Sequence, residues 1–148
     1  MATLKISDLS VGDWVKINDK PRKVSVIADT WDGKSDALVG YIRHEWSNGH
    51  KEVHYKSIEV VKPIPITAEI LEKNGWNSDG MYAFLRIDEH RHLEYYYHEH
   101  RLRKYYCGVD EWQNHAKVNN VTFAVHCYSV HQLQHALRLA GVEKEINL

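Results

Sequence analysis

The chain is divided in two by residues 61–75, which read VKPIPITAEILEKNG. Each proline fixes its own φ and disfavours helix at the residue before it, so Pro63 and Pro65 predict a stiff, extended connector. Thr67 suits the N-cap of a helix, because its side-chain oxygen can accept a hydrogen bond from an unpaired backbone N–H. This stretch therefore predicts a short helix near residues 67–74 between two regions of strands.

The region before the connector has the alternation and the turns of short antiparallel strands. Asn48-Gly49 is typical of a tight hairpin, and it joins the strand candidates Tyr41–Trp46 and Lys51–Tyr55. Five strands in about 60 residues indicate a small SH3-like β-barrel or curled sheet, which we assign to a subdomain of residues 1–62. The predicted strands are 14–18, 23–28, 37–46, 51–55 and 57–61, with a turn at Asp19-Lys20-Pro21 and a loop at Asp32–Asp36.

The region after the connector predicts an antiparallel sheet followed by a C-terminal helix. Ser129 and Gln132 fit a capping box and Gly141 fits a helix stop, so the helix is placed at 129–140. His131 and His135, one turn apart, are expected to be a surface or partly packed pair. Strands, helix, strands and helix in this order predict an α+β fold, with residues 63–148 as an α+β subdomain. The predicted strands of this subdomain are 81–87, 93–100, 102–107 and 121–127.

The amino-acid composition limits the kinds of function that the protein is expected to have. The chain has 148 residues, is 43% hydrophobic and 26% charged, and has a net charge of −1, so we expect a folded protein for which nucleic acid is an unlikely partner. Since no apolar run approaches the roughly 20 residues that span a bilayer, and no signal-peptide block opens the chain, we expect no membrane partner. Two cysteines, Cys107 and Cys127, favour buried free thiols in a cytoplasmic protein.

Three groups of short motifs stand out along the chain: Ile6, Leu9, Val11-Gly12-Asp13 and Val15; then Ile58, Val60, Lys62-Pro63-Ile64-Pro65-Ile66-Thr67, Ile70-Leu71 and Gly75-Trp76; then Val130-His131-Gln132-Leu133-Gln134 with Gly141 and Ile146. They lie in order along nearly the whole chain, and together they resemble a largely uncharacterised family of small proteins from gut Bacteroides-type bacteria and from their phages and mobile elements. The resemblance implies a genomic context rather than an activity. Residues 77–120 carry none of the motifs, so we expect the specific function to lie there.

The 11 histidines are concentrated in one stretch. If residues 90–100 formed one strand, four histidines would share a face with Glu94 and Tyr96. His-x-His can hold Zn²⁺ once a third ligand arrives, whereas the alternative is a solvated face whose opposite side packs on the core. We favour the solvated face, and we predict no cofactor. If a metal is bound, its candidate ligands are His90, His92, His98 and His100.

Aromatic residues alternate with cationic ones at several places. Aromatic faces stack on nucleobases and arginines bind phosphate, so this pattern suits a small anionic nucleotide, although tyrosine and tryptophan are also ordinary strand residues. Two arginines on one strand face, Arg101 and Arg103, repel each other unless acidic groups or an anion lie between them. The predicted ligand-binding residues are Arg43, Trp46, Tyr97, His98, His100, Arg101, Arg103 and Tyr106.

The sequence contains no phosphate-binding P-loop, no dinucleotide fingerprint and no nucleophile elbow. We therefore expect a non-catalytic binding protein for a small phosphate-bearing nucleotide, and a homo-oligomer. By analogy with small phage proteins of this size, its role would be that of a counter-defence sponge, which sequesters a host immune signalling nucleotide. The alternatives are a metal-dependent hydrolase, such as a phosphodiesterase, and a protein-interaction module that uses the SH3-like part.

Overall fold

The computed structural model of the chain describes residues 4–28, 37–110 and 116–148. Its strands form two antiparallel five-stranded sheets accompanied by a few helices, which confirms the predicted α+β class. Two compact units divide the chain, a first unit of Met1–Ile64 and a second unit of Pro65–Leu148. No helix in the described part of the chain has the length and apolar character needed to cross a bilayer.

The first unit is a sheet in the strand order β4-β3-β2-β1-β5. Alternation along β1 buries Val15 and Ile17, which pack with Val24, Val39 and Tyr41 into the core of this unit. The predicted short strands are thus present, while the SH3-like assignment stays a prediction. The strands are β1 Trp14–Ile17, β2 Lys20–Ala28, β3 Leu38–Glu45, β4 Lys51–Ser57 and β5 Val61–Lys62.

Two turns decide the register of this sheet. Asn18 and Asp19 have φ of 51° and 59° and form the two-residue loop between β1 and β2. Two consecutive residues with positive φ match the right-handed twist of a hairpin, so the predicted turn at Asp19-Lys20-Pro21 was one residue late. The hairpin at Asn48-Gly49 is confirmed, with Gly49 at φ 84°.

The predicted strand at 57–61 was wrong in most of its length. Ser57 accepts a hydrogen bond from the backbone of Glu59 and caps a single 3-10 turn, Ile58–Val60. The extended chain resumes only at β5, which pairs with β1. The predicted loop at Asp32–Asp36 lies outside the described residues.

The second unit begins with the predicted short helix. Thr67 caps α1, Ala68–Lys73, and its hydroxyl accepts a hydrogen bond from the Ile70 N–H at 3.3 Å. Buried Asn74 ends the helix and ties it to the last residues of the chain: its side chain donates to the carbonyls of Ile70 and Asn147 at 2.8 Å each and accepts from the Asn147 N–H at 2.7 Å.

A meander of strands, in the order β10-β9-β8-β7-β6, follows this helix. Along the central strands, one face carries fully buried side chains, including Leu93, Tyr95 and Leu102. Lys104, on the same face, donates to the carbonyl of Ala140, so the end of the last helix lies against this side. The elements are β6 Asn77–Ser78, β7 Tyr82–Arg86, β8 Arg91–Tyr96, β9 Arg101–Asp110, β10 Ala116–His126 and α2 Val130–Leu139.

The C-terminal helix confirms its predicted place but differs at its start. Ser129 is the N-cap, yet its hydroxyl hydrogen-bonds His131 Nδ1 at 2.9 Å, and the Gln132 side chain accepts from the Tyr128 N–H. The predicted capping box is therefore not formed. His131 is buried rather than at the surface, because it lies on the apolar side of α2.

Candidate functional site

One side of the second sheet remains half-exposed, and it carries rings and charged groups. Strand alternation places these side chains opposite the buried Leu93, Tyr95 and Leu102, and the antiparallel register brings them next to one another on β7, β8 and β9. We call this surface the ring face. It consists of Tyr82, Phe84, His92, Glu94, Tyr96, Arg101, Arg103 and Tyr105.

The rings form two rows that run across the strands. In one row His92 is stacked between Phe84 and Tyr105, with ring centroids 4.8 and 5.0 Å apart. In the other row Tyr82 stacks on Tyr96 at 5.6 Å, and the guanidinium carbon of Arg103 lies 4.8 Å from the Tyr96 ring centroid. Cross-strand ring pairs and a cation over a ring are both stabilising, so the rows are held in place by their own contacts.

A carboxylate orients both rows. Glu94 accepts a hydrogen bond from the Tyr96 hydroxyl and lies 3.4 Å from His92 Nε2. Burial, together with the hydrogen bonds to Glu94 and Tyr105, raises the pKa of Tyr96 above its usual range. The phenol of Tyr96 therefore stays protonated at neutral pH and keeps donating to Glu94.

The two arginines of the ring face share one acid. The Glu99 carboxylate lies 3.3 Å from Arg103 Nη2 and 3.9 Å from Arg101 Nη1, and Arg101 also contacts His126 Nε2 at 3.3 Å. The predicted repulsion is thus relieved in part by a carboxylate. Glu94 lies opposite Arg103 in the β8–β9 register, so the two guanidiniums face two carboxylates. Each guanidinium carries five N–H donors, and these contacts leave donors that an anion can use.

Four other predicted ligand residues lie away from the ring face. Tyr97 hydrogen-bonds Ser78 at 3.0 Å on the other side of the sheet, and His98 is exposed in the turn after β8. His100, with φ 50°, packs on Tyr128 instead. Tyr106 is exposed on the opposite face, with its ring 5.8 Å from that of His90.

The four candidate metal ligands do not share one strand face. β8 ends at Tyr96, so His98 and His100 belong to a turn, and His90 precedes the strand. His92 is instead stacked between two rings of the ring face. Among the residues the structure describes, no group of three or more His, Cys, Asp or Glu side chains is arranged to hold a metal ion.

The remaining two predicted residues lie in the first unit. Arg43 is the extra residue of a β-bulge in β3 and lines an open cleft with other cations. Trp46 is 42% exposed at the hairpin and lies between His44 and His50, with centroid distances of 4.6 and 5.2 Å. The predicted ligand set is therefore divided between two units.

The sequence prediction missed the rings that surround Arg101 and Arg103. Tyr96 and Tyr105 are the neighbours of these arginines, whereas Tyr97 and Tyr106, one position further along, point away. Strand parity could have found Tyr105, because residues at even spacing on one strand share a face. Comparison with known proteins gives no further guide: no protein-family model, curated protein or solved structure matches the chain.

Proposed function

We propose that the protein binds a small phosphate-bearing nucleotide on the ring face and does not cleave it. The observation that carries this proposal is the stack of Arg103 on Tyr96, with Arg101 beside it and with the Glu99 carboxylate shared by both arginines. A nucleobase needs an aromatic surface and a phosphate needs a cationic fork, and here the two lie on adjacent strands.

Each part of the ring face has a distinct role in this proposal. The half-exposed rings at the ends of the two rows, Tyr82 and Tyr105, offer surface for a base. Arg101 and Arg103 bind the phosphate, for which they exchange their shared contact with Glu99. Guanidiniums suit this task because their N–H groups match the spacing of phosphate oxygens.

Binding without hydrolysis is consistent with the contacts that the Glu94 carboxylate already makes. Glu94 is already engaged by Tyr96 and by His92, so it acts as a positioning group for the rings. In the cell, a nucleotide held and left intact would be withdrawn from its receptor. We therefore infer a counter-defence sponge for a host immune signalling nucleotide, working in the bacterial cytoplasm as a homo-oligomer.

The test combines native mass spectrometry with titration calorimetry. Untagged protein recovered from phage-infected or defence-active cells is expected to carry one small phosphate-bearing molecule, and the same spectrum gives the number of chains in the assembly. With that molecule, or with the best of a panel of cyclic and linear nucleotides, Arg101→Gln and Arg103→Gln are each expected to lower affinity by about tenfold.

Arg138→Gln is the matched control, because it removes the same charge from an exposed position on α2. The proposal fails if no nucleotide binds, or if the two ring-face variants bind as tightly as this control. Recovery of a cleaved nucleotide would instead support the metal-dependent hydrolase, which metal analysis of the untagged protein then checks.

A protein-interaction module is a second candidate, favoured by an apolar groove in the first unit. Val11, Trp14, Pro21 and Ile42 line this groove, and Val11 and Ile42 are 59% and 37% exposed. Exposed apolar side chains that share one groove are typical of docking surfaces. This candidate predicts that no nucleotide in the panel raises the melting temperature, so the same panel separates the two functions.

A further inference from the structure

The first unit contains an open cleft with an unusual concentration of positive charge. Three neighbouring strands contribute to it: Lys20 and Arg22 come from β2, Arg43 from β3 and Lys56 from β4. We call it the basic cleft. The buried Tyr41 and the half-buried His54 form its inner wall, and the β1–β2 turn at Asn18 closes one side.

The charges of the basic cleft are poorly balanced. In the described part of the chain, none of the four Lys and Arg side chains forms an ion pair with a carboxylate. Glu52, a neighbouring acid on β4, is hydrogen-bonded by His54. That bond, assisted by the charge of Arg43, holds the pKa of Glu52 below its usual range. No Asp or Glu is among the described residues that line the cleft, so its four cations create a local positive potential.

Two features of the fold hold these cations in place. The Arg22 guanidinium lies over the Tyr41 ring, 4.8 Å from its centroid, and that ring is 6.1 Å from the ring of His54. Arg43 is the extra residue of the bulge between Ile42 and His44, a device that bends a strand and redirects a side chain. An arginine stacked through its flat face still has its N–H groups for an anion.

The same stack indicates what kind of anion fits. Tyr41 is only 6% exposed beneath Arg22, so this ring offers no free surface for a nucleobase. The basic cleft therefore recognises charge along several strands rather than an aromatic group. A chain of phosphates, with a negative charge on each unit, matches four cations spread over three strands.

We propose that the basic cleft is an anion site that binds a short phosphate chain through Lys20, Arg22, Arg43 and Lys56. This site does not depend on the ring face or on its proposed nucleotide. The shared chemistry is a run of linked phosphates, whether an inorganic polyphosphate or the triphosphate tail of a nucleotide.

Calorimetry with sodium tripolyphosphate tests the site in the full-length protein. We expect one binding event per chain, with an affinity that falls as salt rises because mobile ions screen the charges. Arg22→Gln and Arg43→Gln are each expected to lower the affinity by about tenfold. Arg22→Lys, which keeps the charge, is expected to retain most of the binding.

Lys51→Gln is the matched control. It removes one positive charge from β4, the strand that carries Lys56, but Lys51 pairs with Glu45 at 3.9 Å and does not line the cleft. Circular dichroism melts of all variants report folding. If Lys51→Gln weakens binding as much as the cleft variants do, the attraction is diffuse and the site is refuted. Absence of tripolyphosphate binding to the folded wild type refutes it as well.

Two further titrations compare molecules that could supply the phosphate chain. In a background with Arg101→Gln and Arg103→Gln, which disables the ring face, equal affinity for tripolyphosphate and for adenosine triphosphate supports a site that reads phosphates alone. Tighter binding of the nucleotide would show that its base or ribose is recognised as well, which contradicts a site that recognises a phosphate chain alone. Binding of an oligodeoxythymidine, with none of tripolyphosphate at equal phosphate concentration, overturns the proposal in favour of a nucleic-acid site.

Discussion

The guanidinium of Arg103 lies over the ring of Tyr96, while the hydroxyl of the same tyrosine donates to Glu94. One side chain thus connects a cation on β9 with a carboxylate on its own strand. The order of the ring face therefore comes from contacts among its own groups, and these contacts can be removed one at a time.

Replacing Tyr96 with phenylalanine keeps the ring under Arg103 but removes the donor to Glu94. A half-buried carboxylate that loses a hydrogen bond destabilises the fold, so we expect Tyr96→Phe to lower the free energy of unfolding by about 1 kcal/mol in urea titrations. Tyr82→Phe is the control, because the Tyr82 hydroxyl makes no hydrogen bond to the described residues. Equal losses in the two variants would contradict the role given to Glu94.

Asn74→Ala should be among the most damaging polar substitutions in the second unit. The side chain of Asn74 makes three hydrogen bonds from a buried position, two of them to the backbone of Asn147. Their loss leaves three partly buried backbone groups without these partners, and at about 1 kcal/mol each we expect the free energy of unfolding to fall by about 3 kcal/mol. Asn77→Ala, at an exposed position, should change it by less than about 0.5 kcal/mol. A small effect at Asn74 would show that the last residues are anchored by other contacts.

Asp19→Gly should stabilise the first unit. Asp19 is the second residue of the β1–β2 turn and has φ 59°, a conformation that costs energy for a residue with a Cβ. The substitution creates the Asn-Gly pair that such turns prefer, and we expect a gain of about 0.5 kcal/mol. Asp19→Ala keeps the Cβ and loses the short polar side chain, so it should destabilise. A melting temperature unchanged or lowered by Asp19→Gly would contradict this turn.

Alkaline pH should weaken the fold. Burial raises the pKa of Tyr95 above its ordinary value of 10.0 and raises that of the Cys127 thiol from 9.0 to about 12. The unfolded chain therefore releases these protons at a lower pH than the folded chain does. The stabilisation that these two protonated side chains contribute is complete below about pH 9. It is lost as the pH rises towards their pKa values in the folded protein.

Urea midpoints measured between pH 7 and pH 11 check this alkaline loss. Cys127→Ala removes the contribution of the thiol, so its curve should begin to fall at a higher pH than that of the wild type. Identical curves for the two proteins would show that the thiol does not titrate differently on folding.

Short-range sequence signals predicted the helices, strands and turns well and the candidate site less well. Thr67, Asn48-Gly49 and Gly141 act within a few residues, so the short helix, the hairpin and the end of α2 are where the sequence places them. The end of β8 depends instead on the tight turn at 97–100, where His100 takes a positive φ, a conformation uncommon for residues other than glycine. Nothing in the alternating sequence marks that turn.

Which residues form the candidate site depends on where β8 ends and on how the strands pair with one another. Arg101 and Arg103 were identified from their own pattern, but their partner Tyr96 becomes visible only once the β8–β9 register is known. Arg43 was identified beside Trp46 because the two are near in sequence. The structure groups Arg43 with Arg22 and Lys56 from other strands, a relationship that no local window contains.

The pairing of β1 with β5 has a consequence for synthesis. In the described part of the chain it is the one ladder that joins strands far apart in sequence, with Ile17 opposite Val61, whereas every ladder of the second unit joins neighbours. Closing so long a loop is slow compared with forming a hairpin. On the ribosome, the first sheet therefore stays open along β1 until Lys62 has emerged. During that interval the edge of β1 is open to pairing with another polypeptide, in addition to the edge at β4.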